Sequence, residues 1–161
     1  MSINRVVNYV TVGYTLLALY LVQQLFDLRW SYLDVLQQGE SFKRWSGFVL
    51  GGFMLLQWSL TLVKVVKRWG DHAFLFTKIH KWMGAISPLF FYAHAMRFGF
   101  AYLFFLSVSF YSNVLLGLLN TEEIKLKSDW YFQGWMIVHV SMSMVLTTLM
   151  FYHGFIAFYY K

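Results

Sequence analysis

Across the forty residues from Trp82 to Thr121 the chain carries one charged side chain, Arg97. Few folds tolerate such a stretch. In water it would have to be core on every face, whereas in a bilayer about 20 apolar residues, each rising about 1.5 Å, make one helical crossing. The stretch is twice that length, which predicts two helices hinged near Arg97-Phe98-Gly99. Three further runs carry no charge: Val6–Phe26, Trp45–Val63 and Trp130–Tyr160. The last exceeds a minimal span. Its aromatic ends, Trp130, Tyr131 and Trp135 on one side and Phe158, Tyr159 and Tyr160 on the other, suit the two membrane interfaces.

The composition agrees, with 59% hydrophobic and 12% charged residues and a single proline in 161 positions. The expected fold is an all-α integral membrane protein. It is one transmembrane domain, 1–161, with helices over about 6–28, 45–66, 78–97, 99–120 and 130–160. The first apolar run is too long for the hydrophobic region of a signal peptide and is expected to stay as a transmembrane helix. Absence of cysteine excludes disulfides, thiolate metal sites, iron–sulfur clusters and haem attached through thioethers.

A net charge of +6 raises the question of nucleic acid, but the basic residues flank the apolar runs and form no solvated basic domain. Lipid, not nucleic acid, is the expected partner surface. A five-helix count puts eight Lys and Arg on one side and five on the other, so the N-terminus is assigned to the cytoplasm. The connections Asp27–Arg44, Lys64–Lys78 and Thr121–Asp129 are short and polar, and none can house a nucleotide-binding fold.

Inside these runs the chain places four of its five histidines as two pairs, His80/His94 and His139/His153, each fourteen residues apart. Fourteen helical residues advance about 21 Å and turn to within about 40° of four full turns, so both histidines of a pair share one helix face, one near each leaflet. Side by side, two such helices present two rungs of facing imidazoles. Each rung can clamp a planar cofactor from both faces, and haem b fits, with both axial positions of its iron taken by imidazole.

A span between the histidine helices makes them parallel and pairs His80 with His139 and His94 with His153. A re-entrant segment would swap the partners to His80–His153 and His94–His139. The uncharged length of 98–121 favours the first. Gly84, one turn after His80, and Gly154, next to His153, would let a macrocycle approach the backbone. Lys78 and Lys81 beside His80, and Arg97 three residues past His94, are the candidate partners of haem propionates.

Other residues have plainer readings. His72 follows Asp71 in a polar stretch and reads as solvated. Met96, Met142, Met144 and Met150 read as gap-filling side chains, and among the rings only Trp82, Tyr92, Trp135 and Tyr152 are placed near a cofactor. Pro88 is expected to kink its helix.

With its double histidine spacing and the basic lead-in of "KIHKWMGAISPLFFYAHAMRF", the chain resembles the ferric-reductase-like transmembrane family over residues 45–160. That family holds the membrane cores of ferric reductases, NADPH oxidases and the haem subunit of the bacterial methionine sulfoxide reductase system. The resemblance implies two stacked b haems ligated by His80, His94, His139 and His153, carrying electrons across a bilayer, here a bacterial cytoplasmic (inner) membrane. Larger members continue into a sixth helix and a flavin and nicotinamide module that these 161 residues lack. The electron donor is therefore expected to be another subunit, a soluble reductase or quinol, with quinone a candidate further cofactor. The alternatives are a stand-alone ferric or oxygen reductase and a metal-ion transporter; the latter calls for intramembrane carboxylates or broken helix pairs.

Overall fold

The computed structural model describes residues 8–120 and 128–160, which form helices and connecting turns and, among these described residues, no strands. The Thr121–Asp129 connection, Lys125, Lys127, Arg5 and Lys161 fall wholly or mostly outside this range, as does their share of the charge count.

Helix α1 spans Tyr9–Leu25, and its start is set by Asn8, whose side chain accepts the Val10 N–H at 3.2 Å. Asp27, at φ 46°, turns the chain out of α1. The stretch expected as a polar connection then forms a short helix, α2 (Ser31–Gln38), and the first turns of α3 (Glu40–Gln57). Only Gly39, in extended conformation, separates them. Helix α4 (Ser59–Val65) continues α3 after an offset at Trp58, and a 3₁₀ turn over Lys67–His72 leads into α5 (Ala73–His94). Thus α5 starts five residues before the expected position, inside the supposed polar connection, and ends at His94.

The expected hinge lies between Ala95, where the backbone becomes extended, and Ala101, at φ 53°. Gly99 makes the reversal feasible: a Cβ there would lie 2.1 Å from the Leu103 Cβ. After it come α6 (Tyr102–Leu118) and α7 (Asp129–Tyr159).

Helix α5 runs unbroken through Pro88. Proline has no N–H to give to the carbonyl four residues earlier, that of Gly84. The hydroxyl of Ser87 donates to this same carbonyl at 2.7 Å, so the half-buried oxygen keeps a partner.

Helices α1 and α6 pack on α5, α3 and α4 cover another side of it, and α7 lies mainly on α6. The core is built from Tyr20, Leu50, Phe91, Phe110 and Leu146, one from each of α1, α3, α5, α6 and α7. Two helices are long and apolar enough to cross a membrane: the continuous α3–α4 segment Glu40–Val65, of 26 residues, and α7, of 31. Only 11% and 6% of their apolar windows are buried within the described chain, so neither is enclosed as a core helix is. Helices α1 and α6 are apolar but have 17 residues each, shorter than the spans expected for them.

Candidate functional site

Histidine helices α5 and α7 do not pack closely on each other; α6 bridges them. The imidazoles face each other across the space between. His80 and His139 have ring centroids 6.2 Å apart, and so do His94 and His153. The ring planes cross at 88° in the first pair and 70° in the second. The two helices therefore run parallel.

The spacing has a chemical meaning. An imidazole nitrogen sits about 2 Å from a metal it ligates, and the ring centre lies about 1.1 Å beyond, so two imidazoles that share one metal from opposite sides have centroids about 6.2 Å apart. Both rungs meet that distance. Among the described residues no group of three or more His, Cys, Asp or Glu gathers to hold a bare ion. Two imidazoles per rung suffice only for a metal that brings its remaining ligands with it, as haem iron does. Among the described residues the donor set fits haem, and it offers a bare ion only two ligands per rung.

Three of the four rings have a partner at Nδ1. His80 Nδ1 lies 3.2 Å from the Gln57 carbonyl, which can only accept, so Nδ1 carries the proton and Nε2 keeps a free lone pair for a metal. That carbonyl ends α3, where the last carbonyls of a helix lack internal partners. His94 Nδ1 lies 3.1 Å from Ser46 Oγ, and His153 Nδ1 lies 3.4 Å from the Tyr102 hydroxyl. His139 Nδ1 is buried without a partner; its ring is fixed instead by Trp135, whose indole N–H donates to the Leu116 carbonyl at 2.7 Å.

A cavity of about 440 Å³ opens at the His80–His139 rung, with Gly84, Lys64 and Lys81 also in its wall. A Cβ on Gly84 would meet nothing nearer than Gln57 Nε2 at 3.9 Å, so this glycine leaves open space there. A Cβ on Gly154 would have nothing within 4 Å. Two glycines that the sequence reading passed over lie against the rings: a Cβ on Gly117 would come 3.4 Å from His139 Cε1, and one on Gly47 would come 3.1 Å from His94 Cε1. Both lie on helices that carry none of the four histidines, so no spacing in the sequence marks them.

The basic residues divide. Lys81 reaches the cavity, with its ammonium 5.5 Å from the centre of the Tyr9 ring. Lys78 is exposed and outside the cavity wall, and Arg97 is exposed in the turn after α5. Lys64, near the end of α4, takes the place that Lys78 was expected to hold. A helical break at Trp58 and the 3₁₀ turn decide this, and neither is written in the charge pattern.

Of the four rings expected near a cofactor, Trp135 touches a histidine directly. Tyr152 packs on Tyr102, which approaches His153, while Trp82 packs on Tyr9 and Tyr92 on Tyr20. His72 is exposed. Between the rungs, Ser87 and Leu146 each sit seven residues from both histidines of their helix and are buried, beside the stacked Phe91 and Phe110. A comparison with protein-family models, with curated proteins and with solved structures found no match, so the reading of the site rests on its own residues.

Proposed function

We propose that this chain is a di-haem b-type membrane cytochrome, a bundle of about five transmembrane helices that serves as the electron-carrying subunit of a larger complex. His80 and His139 would hold one haem b, and His94 and His153 the second. The observation that carries this reading is the pair of 6.2 Å imidazole separations on two parallel helices, with no third ligand among the described residues at either rung. When bound, each haem would supply an iron that exchanges single electrons, held by the two imidazoles of its rung.

The protein's own share is to bind, orient and insulate. The Gln57 carbonyl, Ser46 and Trp135 hold imidazoles in place, and Lys64 and Lys81 supply positive charge at the cavity wall for carboxylate side groups. Phe91, Phe110 and Leu146 fill the space between the rungs with apolar atoms, which excludes water. The outward apolar side chains of α7, among them Ile137, Phe151 and Phe155, support a lipid surround. The exposed Arg68 and Lys78 support an acidic donor docking at the His80 end, in competition with quinol delivered from the bilayer.

A reduced-minus-oxidised absorbance spectrum of the purified protein tests the reading. Sharp b-type bands at two haems per chain are expected. A protein purified from haem-replete cells with no haem would overturn it.

A further inference from the structure

The two α5 histidines are oriented from the same helix, α3, by groups of different kinds. His80 meets a main-chain carbonyl, that of Gln57, whereas His94 meets a side chain, Ser46. A serine hydroxyl has one proton to give, and Ser46 places it on the Phe42 carbonyl at 2.7 Å, with the Lys43 carbonyl a longer 3.2 Å away. Its lone pairs are then what face His94, so Nδ1 is the donor of the 3.1 Å bond. Gly47, the next residue, leaves the ring room to reach this partner, because a Cβ there would stand 3.1 Å from His94 Cε1.

We propose that Ser46 is a positioning residue that sets the reduction potential of the haem held by His94 and His153, independently of the other haem. This rests on the haem reading above. An imidazole that donates its second N–H is a more basic ligand, and a more basic ligand favours ferric over ferrous iron. Loss of the acceptor therefore raises the potential of that haem, while the His80 rung, oriented by a backbone carbonyl, keeps its own. The choice of a side chain at one rung and main chain at the other makes the two centres separately adjustable.

The test is a spectroelectrochemical titration of the parent protein and of Ser46→Ala, Ser46→Thr and Ser46→Asp, with the His94–His153 haem identified by its absence from His153→Leu. Ser46→Ala is expected to raise that haem's potential by about 59 mV for each tenfold preferential loss of ferric affinity, and outer-shell partners of ligating histidines are commonly worth tenfold or more. Ser46→Thr restores the acceptor and the potential. Ser46→Asp, a stronger acceptor, lowers it below the parent value. A merely structural role would not give shifts of opposite sign.

Full haem content with an unmoved potential in both Ser46→Ala and Ser46→Asp overturns the inference alone. Loss of that haem from both Ser46→Ala and Ser46→Thr also overturns it, because Ser46 would then be holding the helix and not the ring. A parent protein without haem overturns both this inference and the reading it rests on.

Discussion

Trp135 and His139 lie one helical turn apart on α7 with their rings 4° from parallel and their centroids 5.6 Å apart. The stack compensates for the missing partner at His139 Nδ1. If the His80 rung holds haem as proposed, replacement of Trp135 by Leu is expected to free the imidazole and weaken that binding by roughly tenfold or more, with the other rung unaffected. Trp135→Phe keeps a flat ring but loses the anchor on Leu116 and should fall between. Haem titration of apo-protein measures both.

The pairing itself makes a sharper demand. His80→Leu and His139→Leu should remove the same haem, and His94→Leu and His153→Leu the other, leaving one haem per chain in all four variants. Haem stoichiometry combined with redox titration reads this out. A shared phenotype for His80→Leu and His153→Leu would mean that the parallel arrangement is wrong.

Ser87 and Pro88 form a compensating pair. Ser87→Ala takes the hydroxyl partner from the half-buried Gly84 carbonyl and should cost about 0.5–1.5 kcal/mol, the usual net worth of such a bond. Pro88→Ala returns an N–H to that carbonyl. The double variant should thus be more stable than Ser87→Ala alone. Thermal unfolding in detergent of the two single variants and the double one gives the coupling directly.

Gly99 is a test of the turn that follows His94. With Leu103 Cβ 2.1 Å from the position of an added Cβ, Gly99→Ala must shift α6 and is expected to destabilise by about 1–3 kcal/mol or more. Gly134, whose added Cβ would meet nothing within 4 Å, is the control: Gly134→Ala should be neutral or stabilising. Equal melting temperatures for the two variants would contradict the turn geometry.

Among the basic residues, Lys64→Gln is expected to speed haem loss from the His80 rung, because Lys64 lines that cavity, whereas Lys78→Gln is not. Transfer of haem to a scavenger protein measures the two off-rates. A faster loss in Lys78→Gln alone would restore the assignment that charge order along the chain first indicated.

The apolar helices, though not α2 or the exact bounds of the others, and the face on which each histidine lies were legible in the sequence, because a period of about 3.6 residues converts spacing into direction without reference to any neighbour. So were a hinge near Arg97-Phe98-Gly99, though the helix before it ends earlier, at His94, and the likeness of the two histidine helices. Their relative direction was legible only as an inference from the length of the run between them. What the sequence could not contain is anything that passes between helices. That α3 supplies Ser46 and the Gln57 carbonyl to α5, that Gly47 and Gly117 make way for His94 and His139, and that Lys64 replaces Lys78 at the cavity all depend on which helices touch. Residues 22 to 48 positions apart in sequence meet there only after packing, and packing is decided by shape complementarity among side chains that look alike when read one at a time.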